Sequence, residues 1–563
     1  MQRIWNIVKP QLQLQQQLVG ELGIPLILSQ LLINRGVTGP GEAAEFLNAQ
    51  LSGLASPQEL PDVASACRRI QRAIKHKEKI MVFGDYDADG LTSTALLKSV
   101  LKRLGLEVIH YIPHRVKEGY GLNKQALKSA KEESVGLFIS VDCGTTSSGE
   151  IEQLKRMGID TIVIDHHQPT SDKLPPALAL INPKRPDSRY KYKDLAGVGV
   201  VFRFVQALTR EELQDELDLV CLGTIADVVP LNGENRILTK HGLLRLHNTT
   251  KAGLRALIKQ SRLKNGHIDA TSVGYIIGPR INASGRVDSA EVSLRLLMSD
   301  SEQEAEELAR TVNCHNQKRQ EIEALILKEA QEMIEKEVNF KDHRVIVLAK
   351  KGWHQGVLGI VASKLSDRFY RPAVIISISD NLCRGSCRSI KNFHILEALL
   401  ECGHLLERFG GHKYAAGLAI AEDKIKLFSS AINRIARERI ALEDLYPSLD
   451  IDMEVSLNDW DEELVDQLKQ LEPYGQANPE PLFFTRNLRL KSEPEVLSRN
   501  TLRFWVTDGK TTYKAVGFSM GLMKEEIRES DYFDLVYTPS MDNWHDCANI
   551  QLEIKDIRLF RKN

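Results

Sequence analysis

The stretch DYDADG at residues 85–90 places three aspartates at alternating positions, and it constrains the fold more than any other feature of the chain. It follows an apolar run, Lys79–Phe83, that is typical of a buried β-strand. The residues after it predict a helix that ends near Gly105, with one apolar face formed by Leu97, Val100, Leu101 and Leu104. The order strand, acidic loop, helix indicates an open α/β sheet, in which ligands bind at the carboxyl ends of the strands.

Three clustered carboxylates repel one another, so they favour a site that binds cations. A calcium-binding EF-hand loop would also begin as Asp85, Asp87, Asp89 and Gly90 do. That loop should have Glu at its twelfth position, where this chain has Leu96, and it should follow a helix. We therefore reject the EF-hand and keep two interpretations of the stretch, a metal site at the edge of a sheet and a solvated turn.

With 563 residues the chain is too long for one hydrophobic core, and two to four domains are expected. No apolar run approaches the roughly 20 residues that span a bilayer, and the N-terminus lacks a signal-peptide core. Eight scattered cysteines indicate reduced thiols and a cytoplasmic location. The net charge is −1, but residues 340–415 carry 12 Lys and Arg against 6 Asp and Glu, a surface that could bind a phosphate chain or is only solvated.

The alternation of apolar and amphipathic segments predicts an α/β protein with five parts. Residues 1–75 are expected to be helical, and residues 76–300 to form a Rossmann-like domain with a mostly parallel sheet. Residues 301–338, charged and free of Gly and Pro, indicate a long connecting helix. Residues 339–445 predict a second α/β domain, and residues 446–563 a small β-barrel resembling an OB-fold. The strands expected in the first domain are Lys79–Phe83, Glu107–Pro113, Gly136–Asp142 and Asp160–Asp165.

Further acidic and imidazole residues stand at the ends of predicted elements. Asp142 ends the third of these strands, Asp165-His166-His167 follows the fourth, and Asp227 ends a helical run. Because the carboxyl ends of parallel strands meet at one edge of a sheet, these side chains can converge with the aspartates of DYDADG. A carboxylate-rich set with one or two imidazoles suits Mn²⁺ or Mg²⁺ better than zinc, and two ions about 3.5–4 Å apart are typical of metal-dependent hydrolases.

The motifs DYDADG, VDCG, DHH and ADVVP, in this order, resemble the four motifs of the DHH phosphoesterase superfamily. Three further stretches look like its RecJ branch, namely GPRINASGR at 278–286, WHQGVLGIVAS at 353–363 and GGHKYAAG at 410–417. The resemblance covers essentially the whole chain. It implies a DHH domain and a DHH-associated domain joined by the long helix, followed by the OB-like domain. It also implies a metal-dependent exonuclease that degrades single-stranded DNA from the 5′ end to mononucleotides.

The resemblance further implies a site for two Mn²⁺ or Mg²⁺ ions. The ligands would come from Asp85, Asp87, Asp89, Asp142, His166 and Asp227, and which of the first three touch metal directly is left open. Asp142 would bridge the two ions, and His166 and Asp227 would complete the second ion's site. Asp165 would orient a neighbouring residue, and His167 would contact the scissile phosphate.

By analogy with RecJ enzymes, a pocket for the 5′-phosphate would combine one hydroxyl and two guanidiniums, from Arg115, Ser386 and Arg388. The alternative is ordinary surface arginine. A polar loop flanked by glycines would contact the DNA strand, unless it is only a structural turn; its residues are Arg280, Asn282, Ser284 and Arg286. His412 would contact phosphate or the rim of the site, unless it is a satisfied histidine in a tight turn.

Two other functions stay open. One is a small phosphohydrolase acting on pyrophosphate, cyclic dinucleotides or short oligonucleotides, which the long helix and the C-terminal domain disfavour. The other is a non-catalytic scaffold that binds single-stranded DNA, which the acids and histidines of the four motifs disfavour. RecJ relatives act in DNA recombination and repair, so single-strand-binding protein and a helicase are the partners to expect. We expect a cytoplasmic monomer with no membrane partner.

Overall fold

A computed structural model describes residues 3–169, 174–263, 266–379, 382–542 and 549–561. Contacts divide the chain into two compact units. The first unit contains residues 55–229 and 241–447, and the second contains residues 3–54, residues 230–240 and the C-terminal part from residue 448. No single helix of the described ranges is long and apolar enough to cross a membrane; the bent pair Leu12–Leu22 and Leu26–Asn34 meets these criteria only when both are counted together.

The first unit contains a five-stranded sheet in which all strands are parallel. In spatial order the strands are Val108–Tyr111, Ile80–Gly84, Leu137–Val141, Asp160–Ile164 and Ala179–Ile181. The three central strands are almost entirely buried, as is usual where helices cover both faces of a parallel sheet. All four strands predicted from the sequence are present, with ends shifted by one or two residues.

Helices make up most of the rest of this first domain. They are Val63–His76, Ala88–Arg103, Lys124–Glu132, Ser148–Arg156, Gly197–Thr209, Leu217–Ala226, Ala252–Ser261, Ala270–Ser272, Gly278–Val287 and Glu291–Met298. The helix after DYDADG differs from its prediction, because Ala88–Arg103 is buried on nearly all sides and not on one face. It packs against the strand Ile80–Gly84 and also against the helices Gly197–Thr209 and Leu217–Ala226. The helix is therefore the centre of the domain.

The stretch GPRINASGR was predicted as a loop, and that prediction is wrong, because Gly278–Val287 is a helix. Pro279 lies directly after the π-helical turn Val273–Ile277, which continues into this helix without a break. Gly285 allows close approach to the backbone of Tyr86, since a Cβ atom at position 285 would lie 2.9 Å from that carbonyl oxygen. Tertiary packing thus outweighs the turn-like composition of the stretch.

A single helix of 36 residues, Glu302–Glu337, confirms the predicted connector. The Ser301 side chain caps its start by accepting a hydrogen bond from the Glu304 N–H. At 1.5 Å per residue the helix is about 54 Å long. It leads into the second α/β domain of the first unit.

The second domain contains a mixed five-stranded sheet. Its spatial order is Arg408–Gly411, Ala415–Ile420, Cys383–Arg388, Ala373–Ile378 and Ile346–Lys351. Only the last two strands are parallel to each other. Its helices are Leu358–Phe369, Ile395–Glu401 and Ile425–Arg439. Within the described ranges Ile346–Lys351 has one partner strand, so it is an edge of the sheet.

In the second unit the C-terminal part forms a seven-stranded sheet. The order is Met453–Glu454, Phe483–Leu490, Tyr532–Asp542, Asn549–Phe560, Thr512–Gly517, Thr501–Thr507 and Glu495–Leu497. A further pairing between Phe483–Leu490 and Thr501–Thr507 closes five of these strands into a ring. This ring agrees with the OB-type architecture expected from the sequence. The helices Glu462–Leu468 and Lys524–Arg528 accompany it.

The N-terminal residues of the second unit contain one strand besides the helices Leu12–Leu22, Leu26–Asn34 and Pro40–Asn48. The strand Ile4–Ile7 pairs in parallel with Ser448–Ile451, which corrects the expectation of a wholly helical start. The contacts of Trp5 explain why this segment is a strand. The Trp5 ring packs edge-on against Phe484 at 5.4 Å, and its indole N–H donates to Asp556 at 2.7 Å.

Arg236, in the helix Gly233–His247, is only 1% exposed, and within the described residues no carboxylate forms an ion pair with it. Its guanidinium donates to three backbone carbonyls, those of Phe46 at 2.9 Å, Leu471 at 2.7 Å and Gln470 at 2.8 Å. It also lies 3.9 Å above the Phe46 ring. Burial lowers the pKa of Arg236 to about 10, so the group stays charged near neutral pH. One buried cation therefore joins three segments of the second unit.

We predict that Arg236→Leu lowers the free energy of unfolding by about 3 kcal/mol, because it leaves buried carbonyls without donors. Urea denaturation followed by circular dichroism measures the loss. Arg310→Leu is the control, since Arg310 is exposed on the connecting helix and its ion pair with Glu306 is exposed too. Equal stability of both variants would contradict the role given to Arg236.

Candidate metal centre

Parallel strands bring the first acidic residues together. Ile80–Gly84, Leu137–Val141 and Asp160–Ile164 are neighbours in the sheet, and their last residues are followed by Asp85, Asp142 and Asp165. All three carboxylates therefore lie at the same edge of the sheet, as the sequence predicted.

The start of the central helix places the other two aspartates of DYDADG. Asp87 caps the helix, because its carboxylate accepts hydrogen bonds from the Asp89 and Gly90 N–H groups at 3.1 Å. Position 90 has no room for a side chain, since a Cβ atom would lie 2.6 Å from the Asp85 carbonyl oxygen. The glycine thus lets the helix begin directly above the end of the strand.

Asp89 is held by the start of another helix. The backbone N–H groups of Gly197 and Val198 donate to its two oxygens, each at 2.7 Å. The positive end of the helix Gly197–Thr209 therefore faces this carboxylate. A Cβ atom at position 197 would lie 2.7 Å from Asp142 Oδ1, so only glycine fits there. The sequence analysis missed Gly197, and the run LAGVGV gives no signal for this contact.

His166 lies among three carboxylates. Its Nε2 atom is 3.2 Å from Asp142 Oδ1, 3.6 Å from Asp227 Oδ2 and 3.8 Å from Asp89 Oδ2. Three sets of side chains have ligand atoms within 4.8 Å of one another, namely Asp85, Asp87 and Asp142; Asp89, His166 and Asp227; and Asp142, His166 and His167. Asp142 and His166 each belong to two sets, so the sets form one continuous centre.

The buried atoms of this centre suit divalent cations. Within the described part of the chain, Asp85 Oδ1, Asp142 Oδ1 and both ring nitrogens of His166 are buried without a hydrogen-bond partner. Burial, followed by the charge of neighbouring aspartates, raises the pKa of Asp85, Asp142 and Asp227 well above the usual range. The same causes raise the pKa of Asp89 to about 7.

The unpartnered atoms and the raised pKa values mean that the carboxylates repel one another unless cations lie between them. Burial and the charge of His167 lower the pKa of His166 to about 3, which keeps its imidazole neutral and able to bind metal. Oxygen ligands with one imidazole fit Mn²⁺ or Mg²⁺.

Asp165 belongs to none of the three ligand sets, and its carboxylate is bonded to protein N–H groups. It accepts hydrogen bonds from the Thr145 N–H at 2.9 Å, from the His166 N–H at 2.7 Å and from His167 Nδ1 at 2.8 Å. Burial alone would raise the pKa of Asp165, but the charge and hydrogen bond of His167 hold that pKa well below its usual range. Burial opposes ionisation of His167, yet Asp165 raises the pKa of His167 to about 9. Asp165 therefore orients His167 and favours its protonated form, which donates hydrogen bonds and does not bind metal.

Tyr120 was missed by the sequence analysis. Its hydroxyl lies 3.3 Å from His167 Nε2 and 3.5 Å from the Asp142 carbonyl oxygen. Asn182 was also missed, and it donates to Thr145 Oγ1 and to the His167 carbonyl oxygen, both at 2.9 Å. The stretch GYGLN near Arg115 carried the only signal, a tyrosine between two glycines on the ligand side of the sheet.

Three arginines from both α/β domains lie near the metal centre. Arg115 lies 4.7 Å above the Tyr86 ring, and Arg286 donates to the Gly356 carbonyl oxygen at 3.1 Å. Burial and the neighbouring charge of Arg115 lower the pKa of Arg286 to about 9, and the charges of Arg319 and Arg388 add to this. Burial, with Arg115, also lowers the pKa of Arg388. These cations repel one another, so an anion among them would be stabilised.

Ser386 lies beside Arg388, with its Oγ 3.4 Å from the guanidinium. A Cβ atom at position 359 would lie 3.0 Å from Ser386 Oγ and 3.1 Å from Arg388 Nη2. Both side chains therefore face the first turn of the helix Leu358–Phe369, whose free N–H groups add positive potential. The structure thus brings together Arg115, Ser386 and Arg388, the three residues named for the 5′-phosphate.

The remaining residues predicted to contact DNA lie in different surroundings. Asn282 Oδ1 accepts from the Ala88 N–H at 2.7 Å, and the buried Ser284 contacts His315 at 3.1 Å, so both face the protein interior. Arg280 donates to Asn313 on the connecting helix at 3.1 Å. His412 is exposed in the turn between the strands Arg408–Gly411 and Ala415–Ile420. Their contacts with DNA stay predictions.

Family models match three parts of the chain. Residues 79–224 match the DHH family, N-terminal domain, residues 342–438 match the DHHA1 domain, and residues 451–556 match the RecJ OB domain. The fold and the acidic centre therefore define a DHH phosphoesterase. The order of the three domains is the one that the sequence motifs led us to expect.

Curated relatives identify the branch. The chain is 38% identical to the single-stranded-DNA-specific exonuclease RecJ of Bacillus subtilis over 98% of its own length and 70% of the relative's. It is 36% identical to RecJ of Escherichia coli over 84% of its length and 87% of that protein. The crystal structure of Thermus thermophilus RecJ in complex with Mn²⁺ superposes with a TM-score of 0.84 at 30% identity, covering 99% of this chain and 79% of that one. The chain belongs to the RecJ family.

We predict that Asp142→Asn weakens Mn²⁺ binding at least 100-fold, because it removes a charge that belongs to two of the three ligand sets. Isothermal titration of the metal-free protein with Mn²⁺ measures the affinity. Asp288→Asn is the matched control, since Asp288 is an exposed aspartate outside the three sets. Unchanged affinity in Asp142→Asn would remove this residue from the centre.

Proposed function

We propose that this chain hydrolyses single-stranded DNA from its 5′ end and releases mononucleotides. The observation that carries the proposal is the position of the three arginines beside the carboxylate centre. Carboxylates that hold divalent cations activate water, while fixed guanidiniums bind a terminal phosphate. The named activity of the Bacillus and Escherichia relatives supports the same conclusion.

The chain's own residues have distinct roles in this proposal. The metal ions, when bound, lower the pKa of a water molecule and offset negative charge on the phosphoryl oxygens. Asp142, which belongs to two of the three ligand sets, would hold both ions, and Asp85, Asp87, Asp89, His166 and Asp227 would complete their sites. The Asp165 carboxylate keeps His167 protonated and fixed in orientation. His167 then donates a hydrogen bond to an oxygen of the scissile phosphate.

The terminal phosphate binds to Arg115, Ser386 and Arg388. Two guanidiniums and a hydroxyl recognise a phosphate dianion better than the single charge of an internal phosphodiester. This preference positions the first phosphodiester bond at the metal centre, so cleavage starts at the 5′ end. Arg286, between this pocket and the centre, adds positive charge along the path of the strand.

The two α/β domains enclose a passage that admits a single strand and excludes a duplex. The enzyme acts in DNA recombination and repair in the cytoplasm as a monomer, beside single-strand-binding protein and a helicase. Arg280 and His412 contribute further contacts to the strand, whereas Asn282 and Ser284 hold the helix Gly278–Val287 in place through Ala88 and His315.

Labelled oligonucleotides test polarity and metal dependence. A 5′-labelled single strand should release labelled mononucleotide at once, its 3′-labelled twin should shorten progressively, and a blunt duplex should stay intact. EDTA should abolish cleavage, and Mn²⁺ or Mg²⁺ should restore it. Binding without cleavage under every metal would indicate a scaffold, and cleavage of pyrophosphate or cyclic dinucleotides alone would indicate a small phosphohydrolase.

Arg388→Ala should reduce the preference for a 5′-phosphorylated strand over an unphosphorylated one at least tenfold, because it removes a charged contact to the phosphate. The ratio of kcat/KM for the two substrates measures this preference. Arg434→Ala is the control, since Arg434 lies on the helix Ile425–Arg439 and outside the arginine group. A ratio that stays the same in Arg388→Ala would disprove the pocket.

A further inference from the structure

The edge strand of the second α/β domain has a free side. The Ile346 N–H donates to the Pro372 carbonyl oxygen, so Ile346, Leu348 and Lys350 direct their backbone groups toward the strand Ala373–Ile378. Backbone direction alternates along a strand, so Val347 and Ala349 point the other way. Within the described ranges no hydrogen bond is recorded for the N–H and C=O groups of these two residues.

At Val345, where this edge begins, the backbone N–H and C=O groups already have a hydrogen-bond partner. Asn433 accepts from the Val345 N–H at 2.9 Å and donates to the Val345 carbonyl oxygen at 3.1 Å. One side chain thus takes the place of a neighbouring strand at position 345 and leaves the next two positions open. The buried Asn433 thus satisfies backbone groups of Val345 that would otherwise be unpaired.

A groove of about 350 Å³ lies along the open edge. Its walls come from two helices, with Met333 and Glu337 on the connecting helix and Ile425 and Ser429 on the helix Ile425–Arg439. Its floor is apolar and is formed by Val345, Val347, Ala349 and Ile378. Charged residues, among them His343, Glu422 and Lys426, stand among the remaining lining residues.

We infer that this groove binds an extended segment of another protein, which adds to the sheet as a sixth strand. Free backbone donors and acceptors beside an apolar floor are the two features that strand addition requires. A helix would leave the edge groups unpaired, because its own backbone groups already bond within it. The segment would place small or β-branched apolar side chains on the floor and polar ones toward solvent.

A second copy of this chain does not fit the groove. Paired strands lie about 4.8 Å apart, whereas a helix with its side chains is about 10 Å wide. The same strand of a second copy carries the same two helices on either side. These four helices would collide before the two edges came within hydrogen-bond distance. The occupant is therefore a segment without flanking helices of its own.

The test uses the full chain and the peptide acetyl-Thr-Ile-Thr-Val-Thr-Val-Thr-amide as the probe. Hydrogen exchange followed by NMR should show fast exchange of the Val347 and Ala349 amides in the free protein. The peptide at 1 mM should slow both at least tenfold. The amides of Ile346 and Leu348, already bonded within the sheet, should not change. A peptide of the same sequence with methylated backbone nitrogens should give no protection, because it cannot donate to the edge.

Two matched variants locate the site. Ser429→Trp fills the groove and should weaken peptide binding at least tenfold, as measured by fluorescence anisotropy. Ser430→Trp, one residue along the same helix but exposed outside the groove, should bind as the unaltered chain does. Circular dichroism confirms that both variants are folded.

Three results would overturn the inference: no protection at 1 mM peptide, equal protection by the methylated peptide, or equal binding by Ser429→Trp. Concentration-dependent self-association in sedimentation that Ser429→Trp abolishes would assign the groove to a second copy instead. None of these outcomes depends on nuclease activity, so the inference and the proposed function fail separately.

Discussion

Mutual repulsion among buried carboxylates is the constraint around which the first unit is arranged. Asp85, Asp89 and Asp142 are at most 3% exposed, and their pKa values are raised because burial and like charge both oppose ionisation. Uncompensated charges in such a position cost several kcal/mol each. The chain meets this cost with a helix N-terminus at Asp89, with a neutral imidazole at His166 and with room for divalent cations between the ligand sets.

Local backbone conformations and glycine positions follow from the same constraint. Asp142 has a φ of 58° and Gly144 a φ of 116°, so the chain leaves the sheet in a sharp left-handed turn that keeps the carboxylate at the strand end. Gly90 and Gly197 lie where a side chain would meet Asp85 or Asp142. DYDADG therefore encodes packing as well as ligands, since Gly90 leaves space beside Asp85, while Gly197, outside the motifs, leaves space beside Asp142.

Much of this could be predicted from the sequence, and the limits have physical causes. The strands before Asp85, Asp142 and Asp165 were predictable because buried parallel strands are short apolar runs, and their order fixes which ends meet. The helix Ala88–Arg103 was assigned one buried face from its leucines and valine, yet Thr92, Ser93 and Thr94 are fully buried as well. Thr92 and Thr94 instead bond backbone carbonyls one turn earlier, which periodicity does not reveal.

Residues that act across long separations were harder to find. Asn282 was named as a DNA contact because it is polar and flanked by glycines, whereas its amide oxygen accepts from Ala88, 194 residues away. Tyr120 and Asn182 became visible only when folding placed them beside His167. Arg115, Arg286 and Arg388 could be named from the sequence because a guanidinium is a common phosphate ligand in any fold. Their assembly from two domains could not be derived from spacing.

The connecting helix has a mechanical consequence for the proposed phosphate pocket, because the residues of that pocket come from two domains. Arg115 and Arg286 belong to the domain that contains the metal ligands, whereas Ser386 and Arg388 belong to the domain at the far end of Glu302–Glu337. Asn282, one helical turn before Arg286, joins the helix of that arginine to the first residue of the central helix, Ala88. Any bending of the long helix would therefore separate the two halves of the proposed phosphate pocket, and with them its hold on a phosphate, while the residues of the carboxylate centre keep their mutual distances.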